Sequence, residues 1–490
     1  MLTKKIDRLE EGIRRLNEER KRLESFARTY KTVLNPVRCL PEVVLREIFL
    51  ACISDLSGFM GIYWHSANKQ SRVRNSLNPA KPPWTLGQVC SSWRTVALSH
   101  SLIWSFMSIS FPRAESPQSV WNCRLSQLML QIYRSSSQPL TVALQSHVSI
   151  DPYNPLLVSI CSHAARWVNL RLRFDDTTFR DLQELISPIL KGRIPNLRGL
   201  QWIVHKSDSS TRGRESTLLD AFEHAPSLVD LAIHPQHYKI YNLVRLPWSQ
   251  MTSYSGIRLR LSTNYPYLLE MKNLRSLYLI DVNHLDGVPP ITLPSLTTLS
   301  LASRPGSTTE NVGPLLELLT LPDLQELRIS VDHVIASLPD FVTRSAPTLR
   351  SFWFKLSAIS DDAFIEMLEI IPVLTSLSIQ HPTNILIRAL ARTSSKGTPR
   401  LLPQLCELRL FSGEAIDDME SFASLVALRA DNGVPELGPP FKRGRENVRR
   451  LKRLCCDEQL SLGDDDVQEL RASGLDVLPL TPQWGITPFP

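Results

Sequence analysis

A short signature, Leu-x-x-Leu-x-apolar, recurs through most of the chain and limits its fold more than any other feature. The clearest copies begin at Leu197, Leu228, Leu274, Leu296, Leu324, Leu349, Leu374, Leu405 and Leu425. They end at Trp202, Ile233, Leu279, Leu301, Ile329, Phe354, Ile379, Leu410 and Ala430, with weaker matches ending at Leu144 and Leu172. Successive ends lie 20 to 31 residues apart, except for one step of 46, where Met251 to Gly256 supplies a degenerate copy midway. Side chains alternate across a strand, so the second and third apolar residues of each copy share one face and the residue between them takes the other. Helical spacings fill the intervals, as in Val312, Leu315, Leu316 and Leu319, or Phe364, Met367, Leu368 and Ile371. No single unit of this size can bury its own apolar face. About twelve stacked units therefore predict an α/β array, parallel strands on one side and helices on the other. The chain holds 35 Pro against 19 Gly, and Pro226, Pro294, Pro322, Pro347, Pro372 and Pro403 each stand two residues before the first Leu. A proline pushes its predecessor out of helical geometry, so these positions end a helix and admit a strand.

The period and strand signature resemble leucine-rich repeats, of the irregular class found in F-box proteins; the turn-closing Asn of regular repeats is missing from most units. The resemblance implies a curved solenoid over residues 139–432 with its strands on the concave face. The outward row reads Gln201, Ala232, Tyr278, Ser300, Arg328, Trp353, Ser378 and Arg409, with Lys355, Gln380 and Phe411 two residues further on. Tyr278, Arg328, Trp353, Lys355 and Arg409 form a basic and aromatic set, the residue types enriched at interface hot spots. They are the candidate target-binding residues, suited to an acidic or phosphorylated segment. The alternative is that each is simply solvated.

Residues 1–35 carry a heptad, with Ile6, Ile13, Ala27 and Leu34 at one seam position and Leu2, Leu9, Leu16, Leu23 and Tyr30 at the other. Arg20 interrupts the seam, Gly12 weakens the helix by about 1 kcal/mol, and Glu19 would meet Glu24 across a parallel dimer. A long amphipathic helix follows from this pattern. Coiled-coil self-association stays open beside a helix that folds back or stands solvated. Pro36 ends it.

Next comes Leu40-Pro41-Glu42, opening a helix whose apolar face reads Leu45, Ile48, Phe49 and Cys52. A second helix is expected over residues 86–98, with Leu86, Val89, Cys90, Trp93, Ala97 and Leu98 as its stripe, followed by Leu102 and Trp104. In this order the two helices resemble the F-box, most closely F-box-like proteins with a leading heptad helix. The resemblance covers residues 38–106, with an insertion at 54–83 that a compact F-box lacks. It implies docking on the Skp adaptor of a cullin-RING ubiquitin ligase through Leu40, Pro41, Ile48, Val89 and Trp93. A linker helix is expected within 107–138, through Trp121, Leu125, Leu128 and Ile132. The implied function is a substrate receptor rather than an enzyme: the helical segment holds a Skp-type adaptor and through it a cullin, and the solenoid presents a protein target. The alternative is an interaction scaffold whose F-box-like helices only cap the solenoid. A repeat-type GTPase activator would need an exposed catalytic Arg or Asn on a repeat edge, and nothing in the sequence marks one.

The rest of the sequence argues mainly by exclusion. At 490 residues, 43% hydrophobic and 21% charged, the chain is too long for one compact core and too apolar for wholesale disorder. Its charged N-terminus holds no signal-peptide core, and no run approaches a membrane span, so a cytoplasmic or nuclear protein without membrane contact is expected. The eight Cys lack any C-x-x-C pair, which points to reduced, mostly buried thiols. A net charge of +7 is modest for this length and does not imply nucleic acid. No phosphate-binding loop and no metal-ligand spacing is present, so no cofactor and no catalytic residue is expected. His234 and His237 read as loop residues, Asp361-Asp362 as a helix start, and Asp464-Asp465-Asp466 as an exposed turn. Residues 433–490 form a tail, first basic through Lys442, Arg443, Arg445, Arg449, Arg450, Lys452 and Arg453. A solvated helix face explains that stretch, with a nuclear import signal or weak polyanion contact as the other reading. The Pro-rich end, 478–490, is expected to be loosely ordered.

Overall fold

The computed structural model describes residues 2–33, 36–54, 75–112, 115–146, 150, 154–175, 186–205, 219–235, 244–303, 311–331, 333, 335–345, 348–355, 359–393, 399–411, 419–430, 450–456, 468, 471 and 475–479. Leu34, His237, Asp464-Asp465-Asp466 and most of the basic and Pro-rich tail lie outside them. The fold is mixed α/β, and the chain divides into two units.

The first unit comprises Met1–Ser57, Arg74–Ile109 and Gln118–Leu140. It contains α1 (Leu2–Val33), α2 (Glu42–Ser54), α3 (Ser91–Ser99), β1 (Phe106–Ser110) and α4 (Gln118–Arg134). Pro41 sets the start of α2: its carbonyl accepts the Leu45 N–H at 3.0 Å. Leu45, Phe49 and Ile53, one turn apart along α2, pack with Trp93, Val96 and Ala97 of α3 and with Leu86, Ile103 and Trp104. The Phe49 and Trp93 rings meet edge to face at 5.0 Å, which draws the buried stripe of α2 toward Phe49 and Ile53 and leaves Cys52 in solvent. The helix expected over 86–98 is broken. Trp84–Gln88 is a 3-10 turn, Cys90 is fully extended, and α3 begins only at Ser91.

The end of the insertion is built into this unit. Ser76 and Leu77 are buried, and the Trp84 indole N–H donates to the Ser76 carbonyl at 2.7 Å. The expected linker helix is α4, which buries Leu128, Gln131 and Ile132. Gln131 joins three segments: its Oε1 accepts from the Ser76 hydroxyl, and its Nε2 donates to the Trp104 and Phe106 carbonyls. Arg134 stacks over the Trp104 ring at 4.4 Å. Residues 55–74, with the Tyr63-Trp64-His65 stretch, lie outside the described residues.

The second unit carries the repeats. Its strands are β2 (Leu140–Gln145), β3 (Trp167–Asp175), β4 (Gly199–His205), β5 (Asp230–Pro235), β6 (Ser253–Ile257), β7 (Ser276–Ile280), β8 (Ile291–Thr292), β9 (Thr298–Ala302), β10 (Leu319–Thr320), β11 (Glu326–Ser330), β12 (Ser351–Lys355), β13 (Ser376–Gln380), β14 (Glu407–Phe411), β15 (Arg453–Cys456) and β16 (Asp476–Pro479). Helices α5 (Pro155–Cys161), α6 (Leu261–Glu270), α7 (Val312–Leu318), α8 (Leu338–Ser345), α9 (Asp361–Ile370), α10 (Asn384–Ala391) and α11 (Met419–Ala430) lie in the intervals. From β3 to β16, leaving aside the small β8–β10 pair, each strand pairs in parallel with the next.

A backbone ladder fixes the register. From Arg198 to Cys406, one carbonyl per unit takes two consecutive N–H groups of the next: Arg198 from Val229 and Asp230, Thr252 from Arg275 and Ser276, Arg350 from Thr375 and Ser376, Cys406 from Lys452 and Arg453. Side chains reinforce it between units. Asn196 and Asn273 amides, the Gln250 amide, and the Thr297 and Thr375 hydroxyls each donate to a carbonyl of the preceding unit. The inward positions are fully buried, and Phe352, Phe354 and Phe364 stack with centroids 5.2 to 5.9 Å apart.

The copy expected as a strand at Leu425 is helical. Phe422, Leu425 and Val426 are buried at helical spacing on α11, beside the buried Arg429. The Arg429 guanidinium donates to the Leu390, Leu401 and Leu402 carbonyls, closing the preceding connection. The strand comes later, at β15, which begins at the end of the stretch expected as a solvated basic helix. β16 takes in Leu478, expected as the start of the loose end. His234, expected in a loop, sits in β5, and Asp361-Asp362 opens α9 as expected.

Candidate interaction surfaces

In the first unit, the five residues expected to hold an adaptor have three different environments. Leu40 and Ile48 pack against the rim of the core. Trp93 is only 9% exposed and belongs to the core itself, with its indole N–H donating to the Val37 carbonyl at 3.2 Å. It supports the helix pair from within and is a poor docking contact. Pro41 is exposed, and so is Val89, at the step between the 3-10 turn and α3. The sequence reading missed Val43 and Val44, which are 73% and 41% exposed. Both follow directly on the Leu40-Pro41-Glu42 corner, and their position outside the 45–49–53 stripe was the available signal. Glu42 pairs with Arg46 one turn on, beside these valines.

The candidate target-binding residues occupy aligned rows of the array. Pairing places Tyr278, Ser300, Arg328, Trp353, Ser378, Arg409 and Cys455 in one row. Neighbours in a row are one strand spacing, about 4.8 Å, apart. Lys355, Gln380 and Phe411 fill the next row, as expected. Tyr278 and Arg328 flank Ser300, Arg328 and Trp353 are direct neighbours, and Trp353 and Arg409 flank the buried Ser378.

The expected basic patch is largely neutralised from within its own strands. Arg328 bonds Glu326 at 2.5 Å and Arg409 bonds Glu407 at 2.8 Å, each a carboxylate two residues earlier on the same face. Glu407 also accepts from the Ser376 hydroxyl at 3.0 Å and lies 3.3 Å from Arg453, which reaches Asp476 at 3.4 Å. Burial acts to raise the Glu407 carboxyl; the Arg409 hydrogen bond and charge, with the Ser376 and Arg453 bonds, overcome it and hold the group below its ordinary value. Burial raises the Tyr278 phenol, aided by Glu326 and Asp230 and opposed by the Ser276 hydrogen bond and Arg328. The signal for these pairs was legible as Glu-Leu-Arg, which occurs at both 326–328 and 407–409.

A second set that the reading missed lies on β3 to β5. Arg171 shares the row of Gln201 and bonds its Oε1, while Arg173, Ile203 and His234 form the row beside it. Burial, then the charge of Arg173, pulls Arg171 down to about 10. Burial, then Arg171, pulls His234 down to about 3, so its imidazole is neutral at physiological pH.

The thiols are less sheltered than expected: among the described cysteines Cys52 and Cys123 are exposed, and only Cys161 and Cys455 are buried. Burial raises the Cys161 thiol to about 12. Among the described residues, no group of three His, Cys, Asp or Glu is placed to hold a metal ion, and no helix is long and apolar enough to cross a membrane. No known family model and no curated protein sequence matches the chain.

Proposed function

We propose that this chain is a substrate-receptor subunit of a Skp-cullin-F-box type ubiquitin ligase. In this reading the first unit is an F-box-like domain that holds a Skp-type adaptor and, through it, a cullin. The array is an irregular leucine-rich-repeat solenoid whose concave rows take a protein target in the cytoplasm or nucleus. Ubiquitin transfer would be catalysed by subunits supplied in trans, and no cofactor is needed by this chain.

The observation that carries the reading is the Leu40-Pro41 corner. Pro41, Val43, Val44 and Val89 stay exposed although Leu45, Phe49, Trp93 and Trp104 already close a core beneath them. Apolar side chains left outside a closed core suit burial by a partner. Their place ahead of a repeat array in one chain gives that partner a purpose. The docking set is therefore Leu40, Pro41, Ile48 and Val89 with Val43 and Val44, and Trp93 acts by holding α3 against α2.

The test is binding of the purified full chain to a purified Skp-type adaptor by calorimetry. Leu40→Ala combined with Pro41→Ala should weaken it at least tenfold, ~1.4 kcal/mol, while the melting curve keeps its wild-type shape. Absence of adaptor binding by the wild-type chain would overturn the reading.

A further inference from the structure

The first helix carries an apolar stripe that lies outside the first unit's core among the described residues. Ile6, Leu9, Ile13, Leu16 and Leu23 are 51% to 68% exposed, and none of them belongs to the core of the first unit. At 32 residues α1 is about 48 Å long, enough for four heptads. Glu11 pairs with both Arg14 and Arg15, and all three lie on the side away from the seam. One long stripe of aliphatic side chains, with the Glu11 pairs on the opposite side, is the pattern of a helix that shares its seam with another.

We propose that α1 pairs in parallel with α1 of a second copy of this chain. Charge selects both the occupant and the orientation. The flanking positions are Lys5, Gly12 and Glu19 on one side of the seam, and Glu10, Asn17 and Glu24 on the other. In a parallel pair, the first side of one helix meets the second side of its partner one heptad on. Lys5 then faces Glu10 of the second copy twice, once on each side. Glu19 faces Glu24 in the same pairing, but Arg20 occupies the seam between them and already lies 3.6 Å from Glu24. The two carboxylates that repel are thus those that two guanidinium groups can neutralise, and a lone charged seam residue fixes the register.

The antiparallel alternative is worse. With the helices fully overlapped, so that Ile6 opposes Tyr30, Glu10 meets Glu24 on both sides and Glu19 meets Glu19. Lys5 then faces Val33 and neutralises nothing. Of the two directions, only the parallel one has an attractive flanking pair, Lys5 with Glu10.

Sedimentation equilibrium on the full chain tests this. The wild type should be dimeric. Leu9→Glu with Leu16→Glu should make it monomeric without moving the melting transition of the rest, because neither side chain contributes to a core. Lys5→Glu alone should weaken the dimer about fivefold, and adding Glu10→Lys should restore it. A monomeric wild type, a dimer indifferent to the Leu9 and Leu16 changes, or failure of Glu10→Lys to restore Lys5→Glu would each overturn the proposal. Adaptor binding by a monomeric chain would leave the functional reading standing, so the two can fail separately.

Discussion

The corner of the first unit and the rows of the array satisfy their own groups in opposite ways. At the corner, Val43, Val44 and Val89 meet solvent above a core that is already full. On the array, the outward residues are mostly half-buried and polar, and the charged ones are answered by their own strands: Glu326 by Arg328, and Glu407 by Arg409, Arg453 and Ser376. A partner at the corner gains by removing apolar area from water, at roughly 25 cal/mol per Å². A partner on the array must exchange ion pairs for ion pairs, which adds little net affinity but rejects mismatched charges. The first surface offers affinity through apolar burial and the second discrimination between charge patterns.

Trp93→Ala should cost about 3–5 kcal/mol of first-unit stability, since it removes the ring against Phe49 and the hydrogen bond to Val37. Denaturant unfolding measures it. A loss under about 1 kcal/mol, the size of a typical single substitution, would mean that the core does not close on Trp93, and the exposed valines could then belong to a core still incomplete.

A smaller effect tests the other side. Glu407→Gln keeps one acceptor for three donors and should destabilise the array by about 1 kcal/mol at neutral pH. The acid dependence has a definite sign. The folded carboxyl lies below its unfolded value of about 4.3, so its contribution is fully present above that value and is lost as pH falls through the folded value. Wild type and Glu407→Gln should therefore converge in stability in acid. His234 acts in the same direction: folding holds it neutral, and the unfolded chain gains a proton that the folded one refuses between about 6.5 and about 3. Parallel curves for wild type and Glu407→Gln down to the acid transition would show that the Glu407 pairs carry no stability, and the array rows would then resemble an ordinary solvated surface.

Most of the array was legible because its signal is periodic. The Leu-x-x-Leu-x-apolar spacing located the described strands from β2 to β14, apart from the short β8–β10 pair, including the degenerate β6. It failed at Leu425, where Leu and Ala occur at a spacing that a helix also satisfies, and Phe422 with Val426 made the helical stripe the better buried one. It missed β15 because a run of Arg and Lys masked the short apolar segment Leu454-Cys455-Cys456. Helix α2 was readable from Pro41 and its stripe. The break at Val89-Cys90 was not, because an extended Cys90 leaves no compositional mark. The array site was half legible: the row of cations followed from alternation, and applying the same alternation two residues back would have found Glu326 and Glu407.

Serine at two of the exposed valines separates fold from docking. Val43→Ser combined with Val89→Ser replaces two side chains that are 73% and 41% exposed, so little apolar burial is lost on the folded side. Surface changes of this kind stay within about 0.5 kcal/mol, and the thermal midpoint should hardly move. The same pair removes apolar area that only a bound partner could bury, so adaptor affinity should fall while the melting curve stays. If the midpoint instead drops as far as in Trp93→Ala, the valines are the rim of the core, the corner has no spare apolar surface, and its contrast with the array disappears.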